Sequence, residues 1–355
     1  MRRVTPFYVG SRIVPGIALP KERTIVINTG GLSGTVQEAI FKLWGVSPLL
    51  KRRLRHLNPL VLHAHYGPNG LRVLPLARAI NRPLVVTFHG GDATVTNAHA
   101  KNSYYGHRQF AAHKQVLQRE ATLFIAVSQF IKSKLIDQGF PRDKIVVHYI
   151  GVDLQLFKPR KAPQRLPIVL FVGRLVEKKG CDYLIRAMSD VQAALAQVEL
   201  IVVGDGPARG ELESLAAHTL QRYRFVGVQS PESVRRYMNM ASLLAVPSVT
   251  AHSGDAEGLP TVIPEAMAMG LPVIGTISAG IPEAITDGQN GFLVIERDSK
   301  RMAERTMTLL SNPELWGLFS RAGRLRVEQD FDVLKQSALL EDIYFELGHI
   351  HSKYI

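Results

Sequence analysis

Short runs made up mainly of apolar residues recur along the chain, and they constrain its fold more than any other feature. They occupy residues 59–65, 83–89 and 123–127, then 168–172, 199–203, 243–246 and 272–275. A strand with one wet face alternates apolar and polar residues. Continuous apolar strands of this length are instead buried on both faces, as in parallel sheets covered by helices. Helical segments with start signals lie between them. Thr35-x-x-Glu38 reads as a capping box ahead of Val36, Ile40 and Leu43, and Ser230-Pro231 places a cap and a first-turn proline ahead of Val234 and Met238. Strands alternating with helices predict an α/β chain with doubly wound sheets. No internal repeat and no low-complexity tract breaks the pattern.

At 355 residues the chain can build two such lobes. The boundary falls at residues 158–167, where three prolines and four basic residues in ten positions suit an exposed connector. We therefore expect a first lobe over 1–157 and a second over 168–335. Residues 336–355 are expected to form a helix that packs back on the first lobe. Two open α/β lobes leave a cleft, and ligands sit beyond the carboxyl ends of the strands.

Net charge is +13, unevenly spread. Residues 1–160 carry 23 Lys/Arg against 7 Asp/Glu, and the remainder 20 against 23. Only the first half is then suited to face an anion: a phosphorylated acceptor, an anionic membrane surface or nucleic acid, with a generally basic protein as the plainer account. Nucleic acid fits least, because the basic residues are not interleaved with aromatic stacking positions. The single cysteine, Cys181, allows no internal disulfide and fits a reducing compartment such as the cytoplasm. The N-terminal residues lack a secretory core, and residues 266–282 are too short and too broken by Gly and Pro to span a bilayer, so a soluble protein is expected. Leu50, Leu54 and Leu57 form one stripe with Lys51, Arg52 and Arg55 off it. That segment could rest peripherally on an anionic membrane or pack as an ordinary helix with a basic outer face.

Candidate ligand groups follow the strands of the second half. Arg174 and Lys179 flank a strand-to-helix loop and could both reach a diphosphate, or be two solvated charges. Gly204 and Gly206 bracket Asp205 in a turn that admits close backbone approach, without the third glycine of a dinucleotide fingerprint. Residues 257–270 carry the strongest signal. Gly258, Leu259, Pro260 and Thr261 resemble a helix entry whose free N–H groups favour phosphate; Pro260 supplies none, leaving Gly258, Leu259, Thr261 and Val262 as donors. Glu257 and Glu265 flank that entry as candidate acceptors for vicinal sugar hydroxyls, or as a dipole partner and a solvated helix carboxylate. In the first half, His89 ends a strand and precedes Gly90, Gly91 and Asp92. His63 and His65 end the strand before it. These three histidines lack the local spacing of a metal site.

Taken together, these segments resemble the family-4 retaining glycosyltransferases of the GT-B fold. The matching residues are Gly173-Arg174, Glu177, Lys179-Gly180, residues 203–207, Phe225-Val226-Gly227, Val246-Pro247-Ser248 and Glu257 to Thr261 with Glu265-Ala266. The resemblance implies two Rossmann-like lobes and a metal-independent, cofactor-free enzyme whose co-substrate is a nucleoside-diphosphate sugar. It implies that Arg174 and Lys179 hold the donor diphosphate, that Glu257 contacts the transferred sugar and that Glu265 binds the ribose. His89 corresponds to a family histidine near the donor sugar, suited to hold a hydroxyl as neutral imidazole. His65, Gly91 and Asp92 are expected on the acceptor side. Residues 87–92, with 126–128 and 150–157, resemble the branch that builds bacterial exopolysaccharides on polyprenyl diphosphate lipids. That implies a glycan or polyprenyl-diphosphate-linked acceptor and a place in the cytoplasm or on the inner face of the membrane.

One departure from the family pattern is expected to matter. The family opens with a strand and a glycine-rich loop, whereas Val4 to Gly10 corresponds to its second strand; Thr29 to Gly34 has the wrong place in the strand order to be that loop. We expect a first lobe lacking its first strand. Two other activities stay open at this point: an N-terminally shortened, inactive nucleotide-sugar-binding protein, and a sugar-nucleotide epimerase of the same architecture.

Overall fold

A computed structural model describes residues 1–13, 19–96, 99, 105–159 and 165–352. The second lobe is built on a six-stranded parallel sheet. Its strands are β7 (Ile168–Val172), β8 (Glu199–Val203), β9 (Tyr223–Phe225), β10 (Leu243–Val246), β11 (Val273–Thr276) and β12 (Phe292–Val294). Their order is β12-β11-β10-β7-β8-β9, with the order reversing at β7. Successive residues of β7 feed opposite cores: Val169 and Phe171 pack with Leu184 and Met188 of one helical layer, Ile168 and Leu170 with Ile263 and Met267 of the other. Two buried faces explain the unbroken apolar spelling of that strand. The Ser230 hydroxyl caps the helix Pro231–Met240 by accepting from the Ser233 N–H at 3.2 Å, with Pro231 at the first position, as its spelling predicts.

The first lobe carries a four-stranded parallel sheet, β3 (Leu62–His65), β4 (Leu84–Phe88), β5 (Leu123–Ala126) and β6 (Ile145–Val147), in that order. A separate parallel pair, β1 (Tyr8–Gly10) and β2 (Thr24–Val26), stands beside it. Among the described residues, the first-lobe strands thus form two pieces with no strand joining β1 to β3.

Three local expectations need correction or limits. The helix Gly31–Trp44 begins four residues before the proposed capping box, with Gly30 as its cap. Thr35 lies inside it and bonds back to the Gly31 carbonyl, while Glu38 binds Arg12 and Asn28 of the β1–β2 ribbon and Lys42 of its own helix. Hydrogen bonds from Lys42 first, then Asn28 and Arg12, hold the Glu38 carboxyl at about 2. A tertiary partner therefore claims the carboxylate that the box would have used. The helix Pro48–Leu57 buries Leu50 and Leu54 against Ile25, Ile27, Phe41 and Leu76. That stripe is core, so a membrane can meet only the opposite face, where Leu49, Arg52 and Arg53 are exposed. Of the expected connector, residues 160–164 lie outside the described residues. Arg165 belongs to the second lobe: its guanidinium donates to the carbonyls of Met238, Ala241, Met269 and Gly270, and burial pushes its pKa down to about 10.

The last described element is the helix Val333–Ser352, which returns to the first lobe. Buried Glu341 accepts from the N–H groups of Arg2, Arg3 and Val4, and Tyr344 bonds His63. Among the described residues no helix is long and apolar enough to cross a membrane.

Candidate active site

Strand-end loops of both lobes meet in the cleft. After β7, Gly173 to Val176 leads into a short turn, Glu177–Lys179, and then the helix Cys181–Ala194. Gly180 closes the turn in the left-handed region, and a side chain there would sit 2.0 Å from the Pro247 carbonyl oxygen. The Val249 N–H donates to the Lys178 carbonyl at 2.8 Å, tying this loop to the one after β10. Gly204, at φ 134°, presses its backbone against Gly173, and the Leu175 N–H donates to the Asp205 carbonyl at 2.9 Å. Three loops are thereby fused into one wall.

Lys179 Nζ lies 3.1 Å from Glu257 Oε1, and Lys178 Nζ lies 3.0 Å from Asp255 Oδ1 and 3.8 Å from Glu257 Oε1. Glu257 is buried, so this is a compact cluster of two ammonium and two carboxylate groups, not a scatter of surface charges. Arg174 is exposed on the same loop, and its carbonyl accepts from the Val176 N–H at 2.9 Å. The Asp205 carboxylate is turned to its own loop, accepting from the Gly206 N–H and pairing with Arg209. Gly258 and Leu259 approach the helix Val262–Ala268, whose cap position is Thr261; Leu259 is packed in the core. Glu265 lies in the first turn of that helix, and burial raises its carboxyl to about 7.

On the facing wall, His89 follows β4. The Asp92 carboxylate accepts from the N–H groups of His89, Gly90 and Gly67, each at 3.0 Å, which fixes the loop to the start of the helix Gly67–Ile80. Burial pushes Asp92 up and those N–H groups pull it down. His65 Nδ1 is 3.0 Å from His89 Nε2. His63 stacks on His65 with ring centroids 4.6 Å apart, and it bonds Tyr344 through one nitrogen and Thr87 through the other. Burial is the first cause holding all three histidines below the usual imidazole range, His63 at about 3. Among the described residues no group of three His, Cys, Asp or Glu side chains is arranged to hold a metal ion.

The two walls touch. A side chain on Gly258 would lie 2.1 Å from the His89 carbonyl oxygen, and one on Gly90 would lie 3.1 Å from the Ala256 carbonyl oxygen. The Ala256 N–H donates to Thr94 Oγ1, and the Thr96 N–H donates to the Ser253 carbonyl. Glu283 of the second lobe accepts from the N–H groups of Gln129 and Phe130, at 2.8 and 3.0 Å, and from the Tyr149 hydroxyl. The sequence-predicted Lys179, Glu257, Gly258, His89, His65, Gly91 and Asp92 are therefore neighbours. Lys178, Asp255 and Glu283 were not singled out from sequence; the doubled lysine was the one local hint for Lys178.

Residues 13–156 match the family model described as Glycosyltransferase Family 4, and residues 166–312 the model described as Glycosyl transferases group 1. WcaL of Escherichia coli K12, named for colanic acid biosynthesis, is 32% identical over 284 residues, 77% of this chain and 67% of that protein. The chain belongs to the family-4 glycosyltransferases. The amylovoran biosynthesis glycosyltransferase AmsK of Erwinia amylovora is 31% identical over 76% of this glycosyltransferase and 65% of its own length. The chain thus spans about two thirds of these curated relatives. Anabaena Alr3699/HepE, solved with UDP and glucose, superposes with a TM-score of 0.72 at 22% identity, covering 91% of this chain and 92% of that one. A glycosyltransferase of Rickettsia africae gives 0.72 at 20% identity, with 91% and 84% covered. At such identities the likeness establishes the GT-B fold.

Proposed function

We propose that this glycosyltransferase moves a sugar from a nucleoside-diphosphate sugar, with retention at the anomeric carbon, to a glycan or polyprenyl-diphosphate-linked acceptor during exopolysaccharide synthesis. The observation that carries this is the meeting of Lys178, Lys179, Asp255 and Glu257 with the His89 loop across the closed cleft. A diphosphate competes with the carboxylates for the lysines, and a sugar then offers hydroxyls to the released Glu257. Arg174, Lys179 and the N–H groups near Gly258 neutralise the leaving nucleoside diphosphate, so no metal or other cofactor is required. The Gly204 and Gly206 turn lets the donor approach the backbone, and Glu265 takes the ribose. Neutral His89 orients the sugar, and lobe contact excludes water. The acceptor enters past His65, Gly91 and Asp92. The names of WcaL and AmsK support the exopolysaccharide assignment, and HepE's bound UDP and glucose support the donor class. Exposed Leu49, Arg52 and Arg53 on the helix Pro48–Leu57 suit peripheral contact with an anionic inner membrane face.

The test is transfer from a panel of radiolabelled sugar nucleotides in a membrane extract. Wild type is expected to label a lipid or glycan, and Lys179→Ala and Glu257→Ala to lose roughly 10²- to 10³-fold in kcat. Consumption of donor without acceptor would indicate an epimerase. Binding without transfer would indicate a non-catalytic protein, and wild-type rates in both variants would remove the residue assignment.

A further inference from the structure

The strongest unassigned feature lies beside the cleft, in the hydrogen bond between two imidazoles. His65 closes β3 and His89 follows β4, neighbouring parallel strands in which His65 pairs with Thr87. Their rings are joined Nδ1 to Nε2 at 3.0 Å. Between two neutral imidazoles such a bond holds a single hydrogen, so one ring donates and the other accepts. The bond occupies Nε2 of His89 and leaves Nδ1 as the atom that can meet a substrate. His65 is itself held: His63 stacks on it at 4.6 Å, and Tyr344 and Thr87 fix His63 through its two nitrogens. Tyr66 packs against His89, ring centroids 4.7 Å apart, from a backbone at φ 73°.

We propose that His65 is a positioning residue that fixes the ring orientation and tautomer of His89 and keeps it uncharged. The inference rests on the reading of His89 as a sugar-contacting histidine, and it adds how that histidine is held. The ionisable groups around His89 are His63 and His65 on β3, Tyr66 at the head of the next helix, and Asp92 on its own loop. Glu257, with Lys178, Lys179 and Asp255, faces it from the second lobe, and Tyr344 acts through His63. Asp92 spends its carboxylate on backbone N–H groups, and Glu257 is matched by the lysines. Among the described residues, that leaves His65 as the side chain bonded directly to the His89 ring. Protonating the His89 ring would place a charge in a half-buried position, which burial already disfavours. Deleting His65 opens the ring to water and frees it to rotate, so His89 should charge more readily and lose its single tautomer.

The experiment reads the ring itself, in the ligand-free full chain. Histidine ring nitrogen and carbon shifts are followed against pH in wild type, His65→Ala and His65→Asn, with His89→Ala giving the assignment. The expected result is one dominant His89 tautomer in wild type, mixed tautomers and a higher titration midpoint in His65→Ala, and recovery in His65→Asn, whose amide can take the Nδ1 place. An unchanged tautomer and midpoint in His65→Ala overturns the inference. If His65→Ala does not fold, the same comparison is made with His65→Asn against His65→Leu. Transfer assays, with the sugar nucleotide that labels the membrane extract, separate this inference from the catalytic reading. His65→Ala is expected to lower kcat by roughly 10- to 100-fold with little change in donor KM, a cost typical of losing a partner that orients a functional histidine. It should also move the acid limb of the profile to higher pH. An inactive His89→Ala beside a His65→Ala of wild-type rate and profile sinks the positioning role alone. A His89→Ala of wild-type rate sinks the catalytic reading, and this inference with it.

Discussion

Glu265 offers the sharpest physical test, because its side chain is caught between two costs. Its carboxyl sits in the first turn of a short helix, and burial raises it from 4.5 to about 7. Each pKa unit corresponds to about 1.4 kcal/mol between protonation states, so the ionised form is disfavoured by about 3 kcal/mol in the folded protein. The sign follows from which state holds the proton. Below about pH 4.5 both folded and unfolded chains carry it, and nothing is lost. Between there and about pH 7 the unfolded chain releases the proton while the folded one keeps it, so stability falls as pH rises. Above that range the loss is complete and constant. Urea unfolding of wild type and Glu265→Gln at pH 5 and pH 8 reads this directly. Wild type should lose about 2–3 kcal/mol more than the variant over that span. Parallel pH dependence in the two proteins would refute the burial argument.

The same proton should report donor binding. If ribose hydroxyls donate to an ionised Glu265, binding must release the proton that the free protein holds below pH 7. Calorimetry at pH 6 in buffers of different ionisation enthalpy should then find close to one proton released per nucleoside-diphosphate sugar bound, a ligand whose phosphates do not titrate there. Affinity should weaken by about tenfold per pH unit below 7. Glu265→Gln should abolish both effects. Zero release in wild type, with binding intact, would remove Glu265 from the ribose site.

Two further outcomes test the closed cleft. Gly258→Ala places a methyl 2.1 Å from the His89 carbonyl oxygen and 2.6 Å from Val127, so the lobes must part. The expected result is a larger radius of gyration by small-angle scattering and a large loss of kcat, with native helix content by circular dichroism; an unchanged radius and rate would mean the contact is dispensable. Glu283→Ala removes a carboxylate that caps the helix Gln129–Asp137 from the opposite lobe and accepts from Tyr149, whose pKa burial and Glu283 push up to about 12. Losing these charge-assisted bonds should cost about 1–3 kcal/mol in urea unfolding and return Tyr149 toward the ordinary phenol range in an absorbance titration. An unmoved Tyr149 would contradict the contact.

The limits of the sequence reading have a common physical origin. Residues 168–172, 199–203 and 243–246 are strands as spelled, because β7, β8 and β10 lie inside the sheet and bury both faces. Of the five strands not singled out as apolar runs, β6, β9 and β12 are three-residue edges of their sheets, and β1 and β2 form the separate two-stranded pair. An edge strand has fewer buried positions and so writes no long apolar run. The site divides along a similar line. Lys179, Glu257 and His89 follow strands in loops marked by glycine, so their neighbourhood could be inferred one lobe at a time. The Lys178–Asp255 and His65–His89 pairs and the Glu283 cap join segments up to 154 residues apart in the chain, and no local periodicity encodes such partners. Glycine itself carried a wider message than ligand approach. Gly258, Gly90 and Gly280 stand where backbone of one lobe or loop meets backbone of another, Gly280 so close to the Gly258 carbonyl oxygen that a side chain would lie 2.0 Å away. A glycine after a strand therefore marks close approach by something. In this chain the approaching partner at Gly258 and Gly90 is the other half of the molecule.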